Sequence, residues 1–359
     1  MKQLKRIMVA MDRDESSRHA LLTAAWWAGK FGVELRLVHV VPTLNLIPDA
    51  VDYPAGMEAQ LDEAELVMSG WEQLALAGGA KTISSEIRQG VIHEELLLAA
   101  AAAEVGVIVC GTGDRHQGPH PRLGSNAERL VRYAGIPVLV QSADSQLTPK
   151  TILCPVDMSD TSARALRNAL FLAKVLDAEL IALFVNQHSP TVIEMPGHLA
   201  HEIREDWDKL RAHDFARFLS GFDVQGVRFR AVIRECQPEE HILAAIADYH
   251  ADLTIMGSVG RTGITRLLLG SVAQKVAHEM PCSVMMVKQK NVPELERIEE
   301  AREMGKHYRI GQELRPAGKA EEVVGRPDEA REARVRADII TNTIWNQEAA
   351  AESRRRPQH

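Results

Sequence analysis

The chain repeats itself. The segment KRIMVAMDRDESSRHALLTAAWWAGKFGVELRLVHVV, from Lys5, lies without a gap on KTILCPVDMSDTSARALRNALFLAKVLDAELIALFVN, from Lys150. Asp12 falls on Asp157, Ser17 on Ser162, Ala20 on Ala165 and Val40 on Val185, at an offset of 145. Farther on, EELLLAAAAAEVGVIVCG lies on EHILAAIADYHADLTIMG at an offset of 146, which carries Glu94 to Glu240 and Gly111 to Gly257. The same offset holds at Gly124 and Gly270, and at Val138 and Val284. A duplication on this scale constrains everything after it, because whatever one half folds into the other must fold into as well. With 359 residues and 45% hydrophobic content, each half can bury a core of its own.

Within each half strand and helix patterns alternate. Arg6 to Met11 is a short apolar run closed by Asp12, Ser16 to Phe31 carries apolar residues at helical spacing, and Val33 to Val41 is a second strand. A helix from about Met57 to Leu76, a strand near Thr82 to Arg88, a helix from Glu94 to Glu104, a strand from Val107 to Cys110, a helix from Asn126 to Tyr133 and a strand from Pro137 to Val140 complete the first half. The second half repeats the order, with His198 to Leu219 as its long helix. Alternation of this kind predicts right-handed crossovers and a parallel sheet covered on both faces, hence strands apolar throughout. The fold class is therefore α/β, two doubly wound Rossmann-like domains in tandem, over residues 1–141 and 150–289. Residues 142–149 form a short polar linker, and 290–359 form an extension rich in Glu, Arg and Ala, too poor in large apolar residues for a core and read as charged helix or disorder.

Composition excludes several classes. No apolar run approaches the roughly 20 residues that cross a bilayer, and the start runs straight into a strand, so the expectation is a cytoplasmic protein without a membrane partner. A net charge of −7 gives no footprint for nucleic acid. Cys110, Cys154, Cys236 and Cys282 are far apart, without a C-x-x-C, and are expected as reduced, buried thiols rather than zinc ligands or disulfides.

The chemistry gathers in GSVGRTGITRLLLGS, residues 257–271. Ligands of a doubly wound sheet sit beyond the carboxyl ends of the strands, where strand order reverses. Gly257 follows the strand Leu253 to Met256; with Gly260 it permits a tight turn whose backbone N–H groups can approach an anion with no Cβ in the way. Gly270 and Ser271 then open a helix, Val272 to His278, whose N-terminus suits a phosphate, and Arg261 could add a charge. Asp157 ends the first strand of this half on the same rim, where a carboxylate can accept from ribose hydroxyls or bind the magnesium that accompanies phosphates. Val185, at the end of the second strand, offers backbone groups and apolar surface to a purine. No Gly-Lys-Ser/Thr follows a glycine loop, so this is not a Walker site.

Gly257-x2-Gly260-x9-Gly270-Ser271, with Pro155-Val156-Asp157 and the LTIMGS strand, resembles the universal stress protein family, and two copies in one chain resemble its tandem members. The resemblance covers residues 5–141 and 150–288. It implies Rossmann-like five-stranded domains and ATP binding, possible with magnesium, where the glycine motif is whole. Position by position it implies that Asp157 and Val185 hold ribose and adenine, that Met256 and Gly257 line the nucleoside, and that Gly260, Arg261, Gly270, Ser271 and Val272 hold phosphates, with Pro155, Val156 and Ser258 also counted among the nucleotide-binding residues. It further implies pairing of domains through their last strands, here Val138 to Val140 and Val284 to Val287, within the chain or in a homodimer.

The first half departs from the pattern. Asp12, Val40, Gly111, Thr112, Gly124 and Ser125 match, but Asp114 stands where Gly260 does, with a carboxylate and a Cβ in the path of phosphates. Gly113 could shift the loop and Arg115, His116, His120 and Arg122 bring positive charge, while Pro119 and Pro121 stiffen it. Nucleotide is accordingly expected in the second half, with the first as pairing or regulatory partner, and Asp12 as a helix cap or turn residue. His116 and His120 lack a third ligand and read as solvated; Trp26, Trp27, Met285 and Met286 read as packing residues. Ser271 lies outside any G-x-S-x-G, and no metal site or catalytic residue is assigned. Two further readings stand beside the stress-response nucleotide binder: a slow ATP hydrolase or phosphoryl-transfer enzyme, and a scaffold that acts through its charged extension.

Overall fold

The computed structural model describes residues 4–42, 53–113, 123–143, 145–187, 198–260, 269–279 and 282–288. The expectations for Asp114 to Arg122, for Arg261 and for the extension from 290 lie outside the described residues.

In the first half the elements are β1 (Arg6–Met11), α1 (Glu15–Phe31), β2 (Glu34–Pro42), α2 (Tyr53–Ala77), β3 (Ile83–Gly90), α3 (Ile92–Ala102), β4 (Val107–Gly111), α4 (Ser125–Tyr133) and β5 (Val138–Gln141). The second half gives β6 (Thr151–Val156), α5 (Asp160–Leu176), β7 (Glu179–Asn186), α6 (His198–Leu219), β8 (Arg228–Glu235), α7 (Pro238–Asp248), β9 (Leu253–Gly257), α8 (Ser271–Glu279) and β10 (Ser283–Val287). All ten strands form one sheet, in the order β3-β2-β1-β4-β5-β10-β9-β6-β7-β8. Neighbours within each half are parallel. The halves meet through β5 and β10, antiparallel, with Val140 opposite Val284, Leu139 opposite Met285 and Val138 opposite Met286. The expected pairing of last strands is made inside the chain.

The sequence reading expects a core for each half; the cores instead follow the faces of the sheet. One layer packs Met8, Val38, Ile108 and Val138 with Leu153, Ile181, Val284 and Met286, under α3, α4, α7 and α8. The other packs Ile7, Val9, Leu37 and Val109 with Ile152, Leu180, Ile255 and Met285, under α1, α2, α5 and α6. Both layers run through both halves, because a sheet continuous across the seam alternates its side chains over its whole width. Trp27, at 2% exposure, and Met285 and Met286 are packing residues as expected. Three of the thiols are buried, but Cys236 is exposed, one residue beyond the end of the outer strand β8. Burial pushes the Cys110 thiol up to about 12 and that of Cys282 up to about 11.

Local chemistry sets the helix starts. Asp14 caps α1, accepting from the Ser17 N–H at 2.6 Å, and Ser159 caps α5, accepting from the Ser162 N–H at 3.2 Å. Asp12 is not the cap: among the described residues it accepts from the adjacent Arg13 N–H, two residues too early to reach the first turn. The linker is stitched to the second half. The Ser142 N–H donates to Ser283 Oγ at 3.1 Å, the Ser283 N–H donates to Ser145 Oγ at 2.9 Å, and Asp252 accepts the N–H groups of Lys150 and Thr151. Lys288, just past β10 and 7% exposed, donates to the carbonyls of Val131 and Arg132 at the carboxyl end of α4. A cation there meets the negative end of the helix dipole and ties the chain just past β10 to the first half.

Candidate functional site

The ladder between β6 and β9 stops early, with only Ile152 opposite Leu253 and Leu153 opposite Thr254. Beyond it the two strands part, since the crossovers that follow them leave for opposite faces. Pro155 lies past the end of this ladder, buried, where its missing N–H leaves no bond unmade on that side. Val156 is the last residue of β6, and Asp157 is the first beyond it, on the lip of the crevice.

A turn holds Asp157 in place. Its Oδ1 accepts the Ser159 N–H at 3.0 Å and the Ser159 hydroxyl at 2.6 Å, and the backbone reverses through Met158, a non-glycine residue at φ +64°. The left-handed conformation costs an ordinary residue about 1 kcal/mol, and it stands beside the candidate site. Its counterpart Arg13 is not in that conformation. Sequence reasoning missed both Met158 and Ser159; Ser-Asp-Thr-Ser before an apolar helix was the available signal for the latter.

Gly257 proves to be the last residue of β9, opposite Val287, rather than the first past its end. A Cβ there would lie 2.9 Å from the Thr161 methyl, so α5 packs onto bare backbone. Ser258, 3% exposed, donates its N–H to the Val287 carbonyl at 2.9 Å and accepts the Gly270 N–H at 2.8 Å. Both of its backbone groups are thus spent on joining β9, β10 and the start of α8. Gly260 is exposed, and a Cβ on it would lie 2.8 Å from Asp157 Oδ2, closer than a real Cβ approaches any atom. A Cβ on Gly270 would meet Ser258, Val259 and Gly260 at 3.5 to 3.8 Å, ordinary contact, so Gly270 is not demanded by crowding.

Asp157, Gly260, Gly270 and the first turn of α8 therefore share one rim. The first-turn N–H groups at Ser271 and Val272 have no partner within an α-helix, so this end of α8 presents donors and the positive end of a dipole. Val185 and Met256 are 9% and 5% exposed and both belong to the α7 and α8 face of the core, so only backbone there could meet a nucleoside. This arrangement can hold an anion at α8 and accept from hydroxyls at Asp157.

The first-half rim differs. The Gly124 N–H donates to the Thr112 carbonyl at 2.7 Å, reproducing the stitch between Gly270 and Ser258. Thr112 and Val40 are buried at 2% and 5%, and Gly124 and Ser125 open α4 as their counterparts open α8. The Ser16 hydroxyl, however, donates to Asp14 at 2.9 Å and accepts the Gly113 N–H at 3.1 Å. It also lies 2.3 Å from where a Cβ on Gly111 would sit. A backbone donor of the glycine loop is thus consumed, in the company of Asp12 and Asp14.

The universal stress protein family model matches residues 3–141 and again 148–288. A universal stress protein of Methanocaldococcus jannaschii is 34% identical over 140 residues, 39% of this chain and 82% of that protein. One from Mycolicibacterium smegmatis is 28% identical over 299 residues, covering 79% of this chain and 96% of the other. The crystal structure of a universal stress protein from Archaeoglobus fulgidus shares the fold at a TM-score of 0.58 and 22% identity, over 80% of this chain and 99% of that one. Among the described residues no helix is long and apolar enough to cross a membrane. With one family match on each half of the repeat, the chain belongs to the universal stress protein family as a tandem member.

Proposed function

We propose that the second half binds an adenine nucleotide, ATP, and that the first half serves it as a pairing partner with a closed rim. The observation that carries the reading is the contact of Asp157 with Gly260. The Asp157 carboxylate stands 2.8 Å from where a Cβ on Gly260 would sit, so a side chain on that loop residue could enter only by displacing it, and on this reading the carboxylate accepts from ribose. The backbone of that loop and the amino end of α8 are then left to the phosphates. In the first half the equivalent loop spends its Gly113 N–H on Ser16, and phosphates would approach Asp12 and Asp14. Magnesium, where it accompanies the phosphates, would be held by them and by Asp157.

Equilibrium titration of the full chain with ATP tests this. The expected stoichiometry is one nucleotide per chain. Two equivalent sites would overturn the closed first half, and no saturable binding would overturn the reading altogether. Release of inorganic phosphate over the same samples separates a binder from a slow hydrolase.

A further inference from the structure

A cavity of about 150 Å³ lies between α1 and α5, over the seam where the two halves join, and both halves line it. Its aromatic wall is Trp27, Phe31 and Phe171; Leu172 and Met285 add aliphatic surface, and Asn168 contributes an amide. None of these residues belongs to the glycine motif.

The repeat explains why space is left there. Trp27 corresponds to Leu172, Trp26 to Phe171 and Thr23 to Asn168, each 145 residues apart. The two helix walls are thus copies of one pattern filled unequally, with a large indole on one side and a smaller leucine on the other. Protein interiors are otherwise close-packed, whereas this cavity, open to solvent beside Phe171 at 38% exposure, leaves room for about a single aromatic ring. Trp27 is 2% exposed and its indole Nε1 is buried, so it offers the cavity carbon surface rather than a donor.

We propose that this cavity is a binding site for a small neutral aromatic molecule with one polar group, of the size of phenol. The volume limits the ligand to about one ring. No charged side chain lines the cavity, so a charged ligand would be desolvated without a partner. The Asn168 amide can donate to or accept from one polar substituent. A ligand seated there touches α1 and α5 together, so occupancy braces the two halves against each other.

The test is titration of the full chain with phenol, toluene and benzoate, followed by calorimetry and ligand-detected NMR. Phenol should bind saturably at one site per chain, with a Kd of about 0.1–1 mM given its few atoms, and benzoate at least tenfold more weakly. Asn168→Leu should weaken phenol by fivefold or more and leave toluene within twofold, whereas Leu172→Phe should remove both. Gly260→Asp should leave phenol binding unchanged, which separates this site from the nucleotide rim. Should Leu172→Phe fail to fold, Asn168→Leu alone decides between phenol and toluene. Absence of saturable binding of either neutral ligand, or binding unaltered in Asn168→Leu and Leu172→Phe alike, would overturn the proposal.

Discussion

Gly260→Asp writes the first half's residue into the second, and its effect can be worked from the rim. The new Cβ would stand 2.8 Å from Asp157 Oδ2, so the loop or the Asp157 turn must yield before any charge is considered. Two carboxylates about 4 Å apart then repel by about 1 kcal/mol in a water-like medium and about 4 kcal/mol at the effective dielectric of a protein surface. That repulsion acts with and without ATP and so falls on stability; affinity is lost because bound phosphates meet the same new charge at similar range on a partly buried rim, at a cost between those limits. A loss of 1.4 kcal/mol is tenfold in affinity, so ATP binding should weaken by about 10- to 100-fold. Gly260→Ala carries the steric part alone and should lose less. Equilibrium titration at low and high salt distinguishes the contributions: about 0.5 M salt should restore part of the Asp variant's affinity and little of the Ala variant's. Adenosine, without phosphates, should be affected less than ATP in Gly260→Asp. Affinity of Gly260→Asp within twofold of wild type would refute the assignment, and an Ala variant as impaired as the Asp variant would refute the electrostatic part.

Other consequences are open to direct measurement. Lys288→Met removes the cation from the carbonyls of Val131 and Arg132, and urea denaturation should register a loss of about 1–2 kcal/mol. Glu34 accepts from the Ser84 hydroxyl at 2.6 Å and from Arg6 at 2.7 Å, and these hold its carboxyl below its ordinary value of 4.5. Its folded value being depressed, its contribution is present above about pH 4.5 and is lost as pH falls further; Glu34→Gln should flatten the acid limb of the denaturation midpoint against pH. A disulfide reagent at pH 8 should titrate one thiol rapidly in the folded chain, at exposed Cys236, and four after denaturation, because burial raises the other three. Rapid reaction of more than one would contradict the packing around β4, β6 and β10.

Most of the architecture was legible from periodicity, and the repeat supplied a second reading of every element. His198 to Leu219 is a helix over just those residues, while others moved by one to four residues, as at α2 and α3, where apolar spacing gives a face and not an end. What the repeat could not convey was the continuity of the sheet: sequence identifies which faces are apolar, not that two cores merge when β5 meets β10. Asp12 was a plausible cap in a stretch that contains Asp12 and Asp14; only the reach to the Ser17 N–H selects the second. The left-handed Met158 carries no sequence mark, since glycine would have announced the conformation and methionine conceals it. The glycine spacing around Gly260 was readable in the chain, but the atom that a Cβ on it would crowd lies 103 residues away, at Asp157.

The antiparallel contact of β5 with β10 also has a genetic meaning. A symmetric dimer of one short chain must carry two identical rims, so any mutation that closes one closes the other. Once both partners lie in a single reading frame, a glycine can persist at 260 while an aspartate settles at 114, and neither choice is imposed on its twin. Selection can then act on the two rims separately, even though folding still treats them as one sheet.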